Sequence, residues 1–241
     1  MGREARLGKV AGMSIGNEIE RRLEIVRARI AAAARHAGRN PSSIRLVLAS
    51  KTQPSEAIRA ASQAGARDFG ENYVQEAIAK RAELADLTEI RWHLIGHLQT
   101  NKARAAASAF ALIHSVDSVR LAEALGRAQP SPRVRALIEV NLGAEASKSG
   151  VAPDGVAALV DAVRDKIEIE GLMTIPPPAA GAGTTRPYFA RLREMRDRLA
   201  VQSGLALSEL SMGMTDDFEI AIEEGATIVR VGRAVFGERT A

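Results

Sequence analysis

Lys51 has the most distinctive chemical setting in this sequence of 241 residues. It directly follows the apolar run Leu48-Ala49-Ser50, which predicts the end of a β-strand. An amine at the mouth of a sheet or barrel is partly desolvated, which disfavours its charged form and leaves it able to form an imine. Position alone does not separate this function from that of a lysine that merely reaches water, so the neighbouring residues must decide.

A second chemical signal follows the seventh apolar run of the chain. Ser211 and Thr215 supply hydroxyl donors, Gly213 allows close backbone approach, and a helix is expected to open at Asp216. N–H groups at a helix start attract anions, but Asp216 and Asp217 would repel one close by. We therefore expect an anion against Ser211 and Gly213.

The eighth apolar run ends in Arg230 and is followed by Gly232 and Arg233, again a glycine beside cationic donors. Loops after strands seven and eight of a barrel commonly hold a phosphate, although Gly232 could also serve only to turn a barrel corner. In a closed barrel these loops lie beside strand one and hence beside Lys51. An imine-forming lysine next to a phosphate site suits either pyridoxal 5'-phosphate (PLP) or a sugar-phosphate aldol substrate.

The elements that position these residues alternate regularly along the chain. Parallel βαβ units are indicated, and eight strands are the number that closes a (β/α)₈ TIM barrel, with an open doubly wound sheet as the alternative. Strands are predicted at 44–50, 66–70, 91–95, 111–116, 134–141, 167–174, 207–212 and 227–231. Helices are predicted at 55–64, 74–85, 102–109, 118–127, 154–165, 187–202 and 216–224.

A further helix over 17–37 is predicted before the first strand, because Ile19, Leu23, Val26 and Ile30 recur at three- and four-residue steps. Residues 1–13 show no periodicity and are expected to form a loose leader. No segment is typical of an interdomain linker. We therefore expect a single barrel domain over 14–241.

The composition excludes several classes of function. The net charge of +4 is spread along the chain and only 3% of residues are aromatic, which disfavours a nucleic-acid partner. The absence of cysteine excludes a disulfide framework and thiolate chemistry. Neither a secretory signal nor a membrane-spanning run is present, so a cytoplasmic protein without a membrane partner is expected.

The histidines do not predict a metal site. His93 and His97 have the spacing of a helical metal motif, but they flank the end of an apolar strand, where that spacing does not converge. No acidic residue joins them along the sequence, and no metal is expected.

Six stretches of the chain together resemble one known family. They are ASKT (49–52), FGENYVQE (69–76), WHLIG with LQTNK (92–96 and 98–102), GLMT (171–174), SMGM (211–214), and VRVG with FG (229–232 and 236–237). In this order they are similar to the pyridoxal phosphate homeostasis proteins, whose fold is that of the alanine racemase barrel. The resemblance implies a fold-type III PLP-binding barrel with the cofactor held as a Schiff base on Lys51.

The resemblance also implies roles for other residues. Ser211, Gly213, Gly232 and Arg233 would hold the phosphate, although many relatives carry a hydroxyl residue at the position of Arg233. Arg230 corresponds to an arginine that related barrels place near either the pyridine nitrogen or the phosphate. Two further residues, Asn72 and Met173, would line the pocket.

Catalysis is the main alternative to a binding role. Racemisation needs a second proton donor opposite the lysine, which alanine racemases take from a tyrosine of an additional C-terminal domain. The chain ends shortly after strand eight and has only Tyr73 and Tyr188, while related decarboxylases use a cysteine that is missing here. We therefore expect a PLP-homeostasis protein without turnover, with PLP-dependent apoenzymes as candidate partners and a monomeric state. An amino-acid racemase is the alternative.

Overall fold

Short apolar strands build the centre of the molecule, which is seen in a computed structural model that describes residues 14–129, 131–143, 149–177 and 182–237. The strands are β1 (Arg45–Ala49), β2 (Asp68–Glu71), β3 (Arg91–Leu94), β4 (Leu112–Val116), β5 (Arg135–Glu139), β6 (Glu168–Met173), β7 (Glu209–Ser211) and β8 (Ile228–Val231). All neighbours are parallel, and β8 pairs with β1 to close the ring. The predicted (β/α)₈ barrel is confirmed, and the open-sheet alternative is excluded.

One α-helix follows each strand within the described ranges, as the parallel connections require. These helices are α2 (Ser55–Gln63), α3 (Val74–Glu83), α4 (Ala103–Ala109), α5 (Val119–Ala128), α6 (Val156–Val163), α7 (Arg186–Ser203), α8 (Phe218–Glu223) and α9 (Arg233–Phe236). Their apolar faces bury against the outer surface of the barrel. None of the described helices is long and apolar enough to cross a lipid bilayer.

The helix that precedes the barrel, α1 (Ile15–His36), begins where Ser14 accepts a hydrogen bond from the N–H of Asn17 at 3.3 Å. Its predicted apolar stripe is buried, and it packs against α2, α8 and α9. It therefore covers the seam where the last and first βα units of the barrel meet. The expected leader, residues 1–13, lies outside the described residues.

Three differences from the predicted elements concern the last two βα units. The seventh strand is shorter than predicted because Leu207 has a φ of 40°, which extended backbone does not allow. Helix α8 starts two residues late, since the N–H groups of Asp217 and Phe218 both close a turn on the carbonyl of Met214. The four-residue α9 was not predicted.

Gly171 lies where β6 and β7 approach each other closely. A methyl group on Gly171 would come within 1.8 Å of the carbonyl oxygen of Glu209. We expect Gly171→Ala to lower the free energy of unfolding by about 1–3 kcal/mol or more. The control is Gly16→Ala in α1, where the nearest atoms lie 3.8 Å away and alanine favours the helix by about 0.5–1 kcal/mol. Urea denaturation compares the two variants, and equal stabilities would contradict the packing described.

Candidate functional site

The carboxyl ends of β1, β2, β7 and β8 surround a cavity of about 210 Å³. Five of the eight residues predicted for the site line it: Lys51, Asn72, Arg230, Gly232 and Arg233. The rest of the lining comes from residues not assigned from sequence, namely Ala49, Gln53, Ile95, Ile175, Met214, Thr215, Asp216 and Gly237. Cations and small residues of strands one and eight therefore face the same space.

A larger cavity of about 500 Å³ lies at the opposite, amino-terminal end of the barrel. Its arginines are engaged with neighbouring groups, as Arg45 is with Glu209 and Arg91 with Asp68. Barrel active sites lie at the carboxyl ends of the strands. The smaller cavity is therefore the candidate functional site, although the other one is larger.

The loop that carries Lys51 is held from below by polar contacts of its two neighbours. Thr52 has a φ of 64°, an uncommon conformation for a β-branched residue, and its N–H donates to Glu76 Oε1 at 2.8 Å. On the other side, the Ser50 hydroxyl donates to Glu71 Oε1 at 2.6 Å. These contacts fix the backbone on both sides of Lys51.

A buried lysine ties these contacts together. Lys80 Nζ donates to the carbonyl of Ser50 at 2.8 Å, to Glu71 Oε1 at 2.9 Å and to Glu76 Oε1 at 2.7 Å. Burial raises the pKa of Glu71, and the hydrogen bonds from Ser50 and Lys80 only partly oppose that rise. The Lys80 ammonium is thus the charge that makes a buried carboxyl tolerable beneath the Lys51 loop.

Arg230 forms the wall of the cavity on the β8 side. Its guanidinium donates from Nη1 to the Ser211 hydroxyl at 2.5 Å and from Nη2 to the carbonyl of Thr174 at 2.9 Å. Burial lowers the pKa of Arg230 to about 10, while Glu139 and Asp217 oppose that change. The guanidinium therefore stays protonated at neutral pH and presents only donors.

Three predicted site residues lie beneath or behind the cavity wall rather than in it. Ser211 is fully buried, and its hydroxyl contacts His114 Nδ1 at 2.9 Å in addition to Arg230. Gly213 has a φ of 90° and lies so close to α8 that a methyl group would come within 2.5 Å of the Ala221 Cβ. Met173 is fully buried in an inner apolar cluster with Ile95 and is not part of the cavity lining.

Thr215 takes the position at the cavity that the sequence had suggested for Ser211. The sequence-based objection was repulsion by the two following aspartates. In the structure the Asp217 carboxylate accepts the N–H of Met214 at 2.7 Å, and Asp216 pairs with Arg233. Both carboxyl groups are thus engaged by donors, and Thr215 lines the cavity together with Asp216 and Gly232.

Gly232 lies where β8 comes nearest to the end of β1. A methyl group there would approach the carbonyl oxygen of Ala49 to 3.1 Å. Helix α9 begins at the next residue, and the first-turn N–H groups of a helix have no partner within that helix. Gly232, Arg233 and Thr215 therefore offer backbone and side-chain donors at one end of the cavity.

Glu139 is a buried acid that the sequence did not reveal, because it lies inside an apolar run at the end of β5. Burial raises the pKa of Glu139 to about 7, Asp117 adds to the rise, and Arg230 opposes it. Its Oε2 atom has no hydrogen-bond partner among the described residues. It lies close enough to Arg230 to affect the guanidinium electrostatically, but it is not part of the cavity lining.

Within the described ranges, no cluster of three or more histidine or acidic side chains has an arrangement suited to a metal ion. His93 and His97, which were considered together from their spacing, point to different surroundings. His93 is buried against Asp68, whereas the side chain of His97 is 53% exposed near Asp117.

The buried pair Lys80–Glu71 should be sensitive to the loss of one partner. We expect Lys80→Met to cost about 3–5 kcal/mol of unfolding free energy, because it leaves an uncompensated carboxyl in the interior. Adding Glu71→Gln to that variant should restore part of the loss. Chemical denaturation of both single variants and the double variant measures the coupling, and strictly additive effects would refute the pairing.

Comparison with known proteins identifies relatives that match most of the chain. The sequence profile of the family "Alanine racemase, N-terminal domain" matches residues 22–240. A pyridoxal phosphate homeostasis protein of Pseudomonas aeruginosa is 49% identical over 218 residues, covering 89% of this chain and 93% of the relative. The protein of the same name from Escherichia coli K12 is 39% identical, with coverages of 92% and 97%.

Solved structures agree with the sequence comparison. PipY of Synechococcus elongatus, solved with PLP bound, has a TM-score of 0.81 and 42% identity, and the match covers 91% of this chain and 100% of PipY. Alanine racemase of Corynebacterium glutamicum, at 19% identity and a TM-score of 0.67, shares the fold over 93% of this chain and 62% of its own. By sequence and by fold, the chain belongs to the pyridoxal phosphate homeostasis protein family.

Proposed function

We propose that this chain binds PLP as a Schiff base on Lys51 and serves PLP homeostasis rather than amino-acid turnover. The observation that carries the proposal is that Lys51, Arg230, Gly232 and Thr215, which come from both ends of the chain, line one cavity. The relatives' shared name and the PLP-bound structure of PipY support the same cofactor.

The chemistry of the donor set fits the three polar parts of PLP. A primary amine suits the aldehyde, the hydroxyl and backbone donors around Gly232 suit the phosphate, and a donor-only guanidinium suits an unprotonated ring nitrogen. Apolar contact with the ring falls to Ile95 and Ile175. Bound PLP supplies an aromatic ring conjugated to a carbon–nitrogen double bond.

The linkage is tested by titration with PLP. Wild-type protein should develop the absorption band of a Schiff base with one equivalent of cofactor, whereas Lys51→Ala should not. The matched control is Lys102→Ala, because Lys102 is a partly buried lysine outside the cavity and its loss should leave the band unchanged. A band that survives in Lys51→Ala and disappears in Lys102→Ala would refute the assignment.

Thr215 rather than Ser211 is proposed to donate a side-chain hydrogen bond to the phosphate. We expect Thr215→Ala to weaken PLP binding by about 1–3 kcal/mol, the usual cost of losing a hydrogen bond to a charged group. Thr215→Ser keeps the hydroxyl and should bind almost as wild type does. Fluorescence titrations with PLP and with phosphate-free pyridoxal separate the effects. Equal weakening for both ligands would contradict a phosphate contact.

Neither tyrosine of the chain is placed as the second proton donor that racemisation requires. Tyr73 is 63% exposed at the start of α3, Tyr188 packs against the core, and neither lines the cavity. Arg230 opposes protonation of a ring nitrogen beside it, which weakens the cofactor as an electron sink. Both features support a binding role.

The racemase alternative has one structural candidate for a base, because Glu139 has a pKa of about 7 and an unpartnered oxygen near Arg230. Under the proposed function, α-proton exchange of amino acids in deuterated solvent should stay slow and keep its configuration. A second acid–base group typically accelerates such proton transfer by about 10²–10⁴-fold, so exchange without one should be slower by that factor. Rapid loss of configuration that disappears in Glu139→Gln would favour the racemase.

A further inference from the structure

A continuous line of buried polar side chains crosses the interior of the barrel beneath the cavity. It starts at Asp68 on β2, passes through His93 on β3 and His114 on β4, and reaches Ser211 on β7 and Arg230 on β8. All five residues are between 0% and 6% exposed. Burying a polar group in such a core costs free energy unless the group is hydrogen-bonded, so a continuous arrangement of five buried polar side chains indicates a structural or functional role.

Each link of this line has hydrogen-bond geometry. Asp68 Oδ1 lies 2.9 Å from His93 Nε2, and His93 Nδ1 lies 3.0 Å from His114 Nε2. His114 Nδ1 lies 2.9 Å from the Ser211 hydroxyl, which lies 2.5 Å from Arg230 Nη1. At the amino-terminal end, Arg91 donates to both carboxylate oxygens of Asp68, at 2.8 and 2.6 Å.

The two ends decide where the protons lie. Burial alone would raise the pKa of Asp68, but the hydrogen bonds from His93 and Arg91 outweigh it and lower that pKa to about 2, so Asp68 can only accept. Arg230 can only donate. Burial lowers the pKa of both His93 and His114, so each ring is neutral with one donor and one acceptor.

Only one assignment satisfies every link. His93 Nε2–H donates to Asp68, His114 Nε2–H donates to His93 Nδ1, and the Ser211 O–H donates to His114 Nδ1. The Ser211 oxygen is then left to accept from Arg230. All four hydrogen bonds run from Arg230 toward Asp68. The Ser211 proton is directed away from the cavity, which is why Ser211 is not available as a phosphate donor.

We infer that Asp68, His93, His114 and Ser211 are positioning residues. Their chain of hydrogen bonds runs in one direction, which is set by the Asp68 carboxylate at the amino-terminal face, and it fixes the Arg230 guanidinium in the cavity wall. With Thr174 accepting from Nη2, both ends of the guanidinium are held, and its remaining N–H donors are directed by that frame. This inference rests on the proposed function only in that PLP is the ligand facing Arg230.

The chain itself is tested without cofactor, by ¹⁵N chemical shifts of labelled histidine rings in the wild-type protein at neutral pH. We expect His93 and His114 to be neutral, with the proton on Nε2 and an acceptor Nδ1. The exposed His36 and His97 serve as internal references. An imidazolium, or an Nδ1–H tautomer, at either buried ring would overturn the assignment. In Ser211→Ala, the Nδ1 signal of His114 alone should move toward that of an acceptor without a donor.

The effect on the cavity is tested from the far end of the chain with Asp68→Asn. This change should shift the Nε2 signal of His93 and displace the absorption band of the bound cofactor. It should also weaken PLP binding roughly three- to thirtyfold, which is the range of coupling energies carried through packed networks. The control is Glu209→Gln, because Glu209 is a partly buried carboxylate at the same face that pairs with Arg45 and Thr227 outside the chain. It should leave PLP affinity within about twofold, because neither Arg45 nor Thr227 is hydrogen-bonded to the chain and Arg45 acts on His93 and His114 only electrostatically.

The two variants separate the possible failures. Equal PLP affinity and equal spectra in Asp68→Asn and Glu209→Gln would overturn the positioning role, even if wild type binds PLP. Failure of wild type to bind PLP would contradict the proposed function instead. The histidine tautomers of the unliganded protein would still decide whether the one-directional chain exists.

Discussion

Closure of the barrel between β1 and β8 is the constraint on which the site depends. The pairing of Leu48 with Val231 brings the end of the first strand beside the end of the last, although 183 residues separate them along the chain. Lys51 and Gly232 then follow their strands into the same cavity. The fit is close, because a methyl group on Gly232 would lie only 3.1 Å from the carbonyl oxygen of Ala49. An open sheet that lacked this pairing would leave Lys51 and Gly232 at opposite edges.

The site also requires that its buried charges be stabilised, and the structure does this differently on each side of the cavity. Beneath Lys51, the Lys80 ammonium meets the carboxyls of Glu71 and Glu76 directly. Beneath Arg230, the direct partners are the neutral Ser211 and the carbonyl of Thr174. The acids Glu139 and Asp217 act on this guanidinium only electrostatically, without a direct hydrogen bond. A lysine fully paired in the core contributes rigidity instead.

The sequence predicted the architecture well because the barrel relies on local signals. The strand–helix alternation is regular, and the glycines at the ends of β7 and β8 predict an anion site there. The sequence favoured Ser211 over Thr215 as the anion contact, whereas in the structure Ser211 is buried and Thr215 lines the cavity. The sequence shows two aspartates after Thr215 but not the partners that engage them. Ser211, in turn, faces inward because side chains alternate between the two faces of a strand. The strand β7 has only three residues, which is too short a pattern to predict which of its side chains face inward.

The polar chain through the core was beyond sequence reasoning altogether. His93 and His97 drew attention through their spacing, whereas the meaningful neighbours of His93 are Asp68 and His114, which lie 25 and 21 positions away. Such contacts depend on strand register, and a shift of one residue would turn each side chain outward. For a similar reason, Glu139 was not singled out. A single acidic residue at the end of an apolar run has the same sequence pattern as a strand-end acid that is exposed to solvent.

Lys51 is the one lysine proposed to carry the cofactor. Borohydride reduction of the PLP-loaded protein followed by peptide mass mapping tests this assignment. We expect a single stoichiometric label, with the mass of reduced phosphopyridoxyl, on the peptide that contains Lys51. A label distributed over surface lysines, or concentrated on Lys80 or Lys102, would contradict it.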